Sequence, residues 1–189
     1  MKKLFSEIPY LQGDRVTLSQ LTEADAEPLR EMTEDADVYR YLPTFLYEKK
    51  YEDKAYVIRR LYDECFPSSL ILGVYAEDAF CGLAEIYGYR APFLKASTGY
   101  RLAKKYWGKG IATETLGLLV RYLLLDTDVR IITASTMIEN RASANVLQKN
   151  GFRHVAHDVP EDWGFDAPVL TDKWICSHAG YRLQYRFRT

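Results

Sequence analysis

The seven residues Tyr106-Trp107-Gly108-Lys109-Gly110-Ile111-Ala112 join two segments of opposite pattern. Upstream, residues 96–103 carry Tyr100 and Leu102 in strand-like alternation and break at Lys104-Lys105. Downstream, residues 111–126 are apolar nearly all round, which reads as a helix set deep in a core. The junction is therefore a strand-to-helix turn holding two glycines. The first N–H groups of a helix have no partner within it, and the helix dipole adds about half a positive charge there, so an anion finds donors already aimed at it. Without a Cβ, Gly108 and Gly110 can take φ > 0 and let a phosphate oxygen come close to the loop's N–H groups. Charged hydrogen bonds contribute about 1.5–3 kcal/mol each, so a few of them anchor a diphosphate. Lys104, Lys105 and Lys109 add positive charge around it.

Two familiar phosphate loops do not fit these residues. A P-loop needs four residues between its glycines and then Gly-Lys-Ser/Thr, whereas Gly108-Lys109-Gly110 runs into Ile111-Ala112. A dinucleotide fingerprint needs a third glycine where Thr113 stands. The pattern Gly-x-Gly-x-Ala after an aromatic pair instead resembles the pyrophosphate loop of the GCN5-related N-acetyltransferase family, especially its branch of ribosomal-protein alanine N-acetyltransferases. A second block carries the same resemblance: strand-like residues 129–137 lead into Glu139-Asn140-Arg141-Ala142-Ser143-Ala144-Asn145-Val146-Leu147-Gln148-Lys149-Asn150-Gly151-Phe152. Asn140 is a good N-cap, Asn150-Gly151 a good helix stop, and Ala142, Val146 and Leu147 give one apolar face. Residues 13–26 are similar to the family's first strand and helix entry, so the resemblance spans about residues 14–176.

The resemblance implies an α/β fold in which a mixed, mostly antiparallel sheet contains a central pair of splayed parallel strands with flanking helices. It implies acetyl-CoA as co-substrate and a primary amine as acceptor. Lys105, Tyr106, Trp107, Gly108, Lys109, Gly110, Ile111, Ala112 and Thr113 would form the pyrophosphate loop, with Lys105 where Gln or Arg is usual. Leu102 and Ala103 would lie beside the pantetheine, whose amides pair with backbone groups that the splay sets free. Asn140 and Asn145 are further cofactor contacts on the same grounds, and Asn140 caps its helix in either case. Ser143 matches the family's serine near the sulfur and is the candidate proton donor to the departing thiolate; the alternative is a plain first-turn serine.

Composition sets the outer bounds. The 189 residues suffice for one domain, 1–189, with a full core. Hydrophobic residues at 48% and charged residues at 27% are ordinary for a water-soluble chain, and no apolar run approaches the roughly 18 residues of a membrane span. Met1-Lys2-Lys3 opens no signal-peptide core, so the expected location is the cytoplasm, without a membrane partner. The three cysteines, Cys65, Cys81 and Cys176, are widely spaced and read as buried free thiols. A net charge of −1 argues against a nucleic-acid surface built on bulk charge. Between Glu23 and Asp37 seven acidic residues face a single basic one, Arg30. That run reads as a solvated helix face, with attraction of a cationic amine as the alternative. Arg182, Arg186 and Arg188 alternate with Leu183, Tyr185 and Phe187, which suggests an edge strand or a tail docked on a partner subunit, as in a homodimer, more than an RNA arm.

Periodicity predicts a strand over 16–21, helices over 25–32 and 51–64, and strands over 70–75 and 80–87 joined by a hairpin-length connection. The 96–103 strand, the 111–126 helix and the 129–137 strand form a β-α-β crossover, which obliges the two strands to run parallel and right-handed. Residues 160–168 read as an acidic loop before a closing strand over 169–176.

Acetyl transfer to an amine needs a neutral nitrogen, stabilisation of an oxyanion and a proton for the leaving thiolate. Many relatives carry a Glu before the Gly-Tyr of the fourth strand, but here the residues are Ala96-Ser97-Thr98-Gly99-Tyr100. Glu85, inside the apolar run 81–87, is the substitute candidate base; on a central strand its carboxylate is either raised in pKa or paired, and the alternative is an outward-facing residue. His154 and His157 have no Cys or carboxylate at ligand spacing along the chain, so no metal site is expected. A weakly assisted site favours a peptide or protein N terminus: at pH 7 an α-amine is roughly one tenth neutral, against about one in a few thousand for a lysine-like or polyamine nitrogen. A small-amine acceptor (a polyamine, an aminoglycoside or an amino acid) and a non-catalytic acyl-CoA-binding module are the alternatives.

Overall fold

The computed structural model describes residues 5–66 and 68–185. In chain order its elements are β1 (Leu11–Gln12), β2 (Val16–Ser19), α1 (Ala26–Glu34), α2 (Ala36–Tyr39), α3 (Lys54–Arg60), β3 (Ser69–Ala76), β4 (Ala79–Arg90), β5 (Lys95–Leu102), α4 (Ile111–Arg121), β6 (Ile131–Met137), α5 (Arg141–Lys149), β7 (Arg153–Glu161), β8 (Val169–Ser177) and α6 (His178–Tyr185). Among the described residues the strands form one sheet in the order β1-β2-β3-β4-β5-β6-β8-β7. Neighbours are antiparallel except β5 and β6, which run parallel around the α4 crossover. This is the mixed, mostly antiparallel α/β sheet with one central parallel pair that the sequence implied.

Local chemistry sets the elements. The β3–β4 hairpin turns through Glu77 and Asp78, both at positive φ (50° and 60°), the backbone sense that matches strand twist in a two-residue loop. Asp53 caps α3 by accepting from the Tyr56 N–H at 2.9 Å. Helical order runs on past α3 and α4 as π turns over Leu61–Cys65 and Tyr122–Asp126, so the long helices read from periodicity are each an α segment with a wider last turn. The acidic loop read over 160–168 is shorter at its start, because β7 continues to Glu161.

Strand alternation divides the core. Leu70, Leu72, Val74, Ala84 and Ile86 pack on the face covered by α4, with Leu116, Leu119, Val120, Leu123 and Leu124. Ile71 and Leu83 turn to the opposite face and meet Leu29, Met32, Val57, Ile58 and Leu61 from α1, α3 and the turn after it. Cys81 and Cys176 are free and buried, as expected; the side chain of Cys65 lies outside the described residues. The C-terminal segment read as an edge strand or docked tail is helical through Tyr185, and Arg186, Phe187 and Arg188 lie outside the described residues. Among the described residues no helix is long and apolar enough to cross a membrane.

Candidate active site

The glycine turn has the geometry its sequence requires. Gly108 and Gly110 sit at φ +72° and +81°, in the left-handed region, and Gly110 is the N-cap of α4. The ladder of α4 begins with the Glu114 N–H donating to the Gly110 carbonyl at 3.1 Å, so the N–H groups of Ile111, Ala112 and Thr113 precede it, at the positive end of the helix. No atom lies within 4 Å of where a Gly108 Cβ would stand, which leaves open space over the turn. Arg15 and Glu114 fix its position. Arg15 Nη1 donates to the Lys109 carbonyl at 3.1 Å, and Glu114 Oε1 accepts from the backbone N–H groups of Arg15 (2.7 Å) and Val16 (3.0 Å). Lys105 and Lys109 lie against the Tyr106 ring, 5.3 and 5.9 Å from its centroid, whereas Lys104 is paired 2.5 Å from Asp37. The turn fits a diphosphate: it combines open space, unladdered donors and two cations.

Beside the turn the sheet opens. The β5–β6 register runs only from Lys95↔Ile131 to Ser97↔Thr133, while β5 continues to Leu102 and β6 to Met137. The strands part after three pairs, and the gap widens toward the glycine turn. Three of the backbone groups of Leu102 and Ala103, read as lying beside the pantetheine, have partners within the protein. The Leu102 carbonyl accepts from the Trp107 indole at 2.7 Å, the Ala103 N–H donates to Cys81 at 2.9 Å, and the Ala103 carbonyl accepts from Tyr106 at 2.9 Å. The turn folds back on its own strand and takes the two carbonyls, while β4 takes the Ala103 N–H.

Helix α5 closes the other side of the gap. Asn140 Oδ1 accepts from the Ser143 N–H at 3.1 Å, the N-cap its sequence promised. Tyr100 Oη, from the splayed half of β5, donates to Ser143 Oγ at 3.3 Å. Burial pushes the Tyr100 phenol up to about 12, its bond to Ser143 pulling the other way, so it holds its proton at neutral pH. At the far end of α5, buried Asn150 donates to the Thr113 carbonyl at 3.1 Å and ties the helix to the first turn of α4.

Glu85 lies on the other face of the sheet, because its register partner is Gly99 while Tyr100 pairs with Ala84. Its carboxylate is paired, not free: Ser69 Oγ donates to Oε1 at 3.0 Å and Arg101 Nη1 to Oε2 at 2.9 Å. Arg101 is itself buried and bridges to fully buried Glu48, with Nη2 at 2.8 Å and Nε at 2.5 Å from the two oxygens. Tyr39 Oη adds a third donor to Glu48 at 3.1 Å. Both oxygens of Glu85, the candidate base, are thus engaged, which is the paired outcome that its place on a central strand allowed.

A family model described as an acetyltransferase (GNAT) domain matches residues 15–153. The chain belongs to this family. It is an acetyl-CoA-dependent N-acetyltransferase, with acetyl-CoA as co-substrate. An uncharacterized N-acetyltransferase, YoaA, of Bacillus subtilis is 26% identical over 149 residues, covering 77% of this chain and 83% of that protein. Two solved structures share the fold. The RimL ribosomal L7/L12 α-N-protein acetyltransferase in complex with coenzyme A has a TM-score of 0.75 at 13% identity, covering 89% of this chain and 98% of that one. A spermidine N-acetyltransferase of Vibrio cholerae in complex with CoA and spermine has a TM-score of 0.75 at 17% identity, covering 90% and 99%.

Three placements in this acetyltransferase differ from, or go beyond, what the chain order suggested. Tyr100 stood in the sequence only as one member of an alternating pair, and nothing along the chain linked it to Ser143, 43 residues away. Asn145, read as a cofactor contact, lines a groove with Arg141, Gln148 and Trp174, two residues and about 200° around α5 from Ser143. His154 and His157 do have a carboxylate beside them: Asp172 comes from the facing strand β8, so a search by chain spacing missed it.

Proposed function

We propose that this enzyme acetylates the α-amine of a protein or peptide N terminus. The observation that carries the reading is the engagement of Glu85 by Ser69 and Arg101, which leaves the sheet face opposite Tyr100 without a free Glu85 carboxylate to act as a base. Such a site depends on the acceptor's own ionisation, and an α-amine is neutral several hundred-fold more often at pH 7 than a lysine-like nitrogen, in round terms about one in ten against one in a few thousand.

The roles follow from position. Gly108, Lys109 and Gly110 with the first turn of α4 hold the diphosphate, and the gap between β5 and β6 takes the pantetheine. The acceptor nitrogen bonds to the acetyl carbonyl carbon, the carbon–sulfur bond breaks, and the sulfur leaves with the electron pair. Ser143 Oγ accepts from Tyr100, so its own proton is free to go to that sulfur, and Tyr100 resupplies it. The acceptor loses its second proton to solvent, and Tyr100 takes one back from solvent, which closes the cycle.

A second reading, a polyamine or other small cationic amine, is favoured by one feature. Burial pushes the Tyr87 phenol up to about 12, and the negative charges of Glu85 and Glu161 both add to the shift, against the opposing charge of Arg101, so negative charge gathers around Tyr87 on the sheet face away from Tyr100. Thiol release from acetyl-CoA, measured against peptides with varied N termini and against spermidine and spermine, separates the two. Turnover with peptides that is abolished by prior N-terminal blocking supports the first; turnover confined to the polyamines replaces it with the second.

A further inference from the structure

The groove beyond α5 holds a second constellation, outside the acetyl-transfer machinery. In a regular strand His154 and His157, three residues apart, point to opposite faces. Here β7 breaks register against β8 twice, between His154 and Ala156 and between Ala156 and Val159, and Asp158 takes a positive φ of 52°. The bulges turn both imidazoles to one side, where Asp172 of β8 meets them; bulges of this kind re-aim side chains at sites. His154 Nε2 lies 3.2 Å from Asp172 Oδ1, and His157 Nδ1 is in still closer contact with the same oxygen. One ligand atom from each of the three falls within 4.8 Å of the others.

We infer that His154, His157 and Asp172 form a binding site for one borderline divalent cation, of the Zn²⁺ or Ni²⁺ type. Four-coordinate ions with bonds of about 2.0–2.1 Å hold their ligand atoms roughly 3.3 Å apart, close to the 3.2 Å between His154 Nε2 and Asp172 Oδ1. Two imidazoles and a carboxylate suit zinc and nickel, whereas magnesium and calcium prefer oxygen alone. The surroundings are those of a ligated site. His157 turns its other nitrogen, Nε2, toward Asp158 Oδ2 at 3.5 Å, the carboxylate–histidine arrangement that orients ligating imidazoles. The His154 ring packs against Trp174, with centroids 5.0 Å apart, which restricts its rotation. The remaining coordination position faces an open groove of about 730 Å³ bordered by Arg141, Asn145 and Gln148, with room for water or for a side chain of another molecule. Ser143 is on the other side of α5, so the ion holds the β7–β8 edge and takes no part in acetyl transfer.

The test is calorimetric titration of the full chain, stripped with chelator, using Zn²⁺ and Ni²⁺ chloride. One equivalent should bind, Mg²⁺ in excess should not compete, and His154→Ala, His157→Ala and Asp172→Ala should each weaken binding at least about tenfold, with Asp158→Asn having a smaller effect. CoA affinity and circular dichroism, unchanged in all four variants, show that the loss is not one of folding. As a second readout, Co²⁺ should give a visible absorption band in the wild-type chain that Asp172→Ala removes. Failure to saturate at one equivalent, or equal affinity in wild type and the three ligand variants, would overturn the assignment and leave a surface His–Asp hydrogen-bond cluster.

Discussion

Tyr100 Oη and Ser143 Oγ meet at 3.3 Å across the gap that opens where β5 and β6 part. The bond joins a strand to a helix cap, because the Ser143 N–H is held by Asn140 while its hydroxyl is held by Tyr100. Both ends of the serine are thus positioned and its own proton is left to donate. Ser143→Ala should lower kcat by about 10²-fold or more, the range for a positioned proton donor, with little change in acetyl-CoA affinity, since alanine suits a first helical turn. Tyr100→Phe should cost less. If the two act as one relay, the double variant should be no slower than Ser143→Ala alone. Steady-state kinetics on the three variants decides this, and a loss below about threefold in Ser143→Ala removes the serine from the chemistry.

The titration of Tyr100 follows from its burial. Its folded pKa, about 12, is above its ordinary value of 10.0, so the native state holds this proton more tightly than the unfolded chain. The resulting stability is fully present below pH 10.0 and is lost as pH rises toward about 12. At working pH the phenol stays protonated and gives the rate profile no limb. Ultraviolet titration of tyrosinate should show one fewer late-ionising tyrosine in Tyr100→Phe than in the wild-type chain. An unchanged late phase would mean that Tyr100 ionises with the exposed tyrosines.

Most of the frame was legible in the sequence because its signals are local. The turn at Gly108 and Gly110, the Asn140 cap and the β3–β4 hairpin each rest on residues within a few positions of one another, and the parallel crossover follows from the order of its three elements. What was missed depends on partners brought together by the sheet. Arg101 meets Glu85 through β4–β5 pairing but meets Glu48 from a loop 53 residues earlier, so nothing along the chain marked Glu85 as paired to that particular group. Asp172 reaches His154 and His157 only through two bulges, which no periodicity reveals. The Leu102 and Ala103 carbonyls are engaged by the turn's own residues, Trp107 and Tyr106, which composition alone does not predict.

The glycine turn makes separable demands at its two glycines. Both sit at positive φ, where an L side chain costs about 1–2 kcal/mol of backbone strain. A Cβ at Gly108 meets nothing, so Gly108→Ala carries that strain alone. A Cβ at Gly110 comes within 3.0 Å of Arg15 Nη2, the side chain that also holds the Lys109 carbonyl, so Gly110→Val should both strain the N-cap and loosen the clamp. Calorimetric titration with CoA should show the largest loss for Gly110→Val, a smaller one for Gly108→Ala and the smallest for Lys109→Ala. An unchanged affinity in Gly110→Val, with the fold intact by circular dichroism, would contradict the assignment of the loop.

The Glu48–Arg101–Glu85 triad should govern stability more than rate. Arg101 and Glu48 are both buried, and removing one partner of a buried ion pair leaves an uncompensated charge at a cost of about 3–5 kcal/mol. Arg101→Ala strands two carboxylates at once and should lower the unfolding free energy read from urea titration by an amount in that range. Glu85→Gln is milder: a neutral amide can still accept from Arg101 or Ser69, and Glu48 still balances the guanidinium. Because the Glu85 oxygens are already engaged, Glu85→Gln should keep the acidic limb of the kcat/KM profile and lower kcat by less than about tenfold, short of the 10²–10⁴-fold expected for loss of a general base. A flattened acidic limb together with a loss in that larger range would restore Glu85 as the base, and would mean that its bonds to Ser69 and Arg101 open when the acceptor binds.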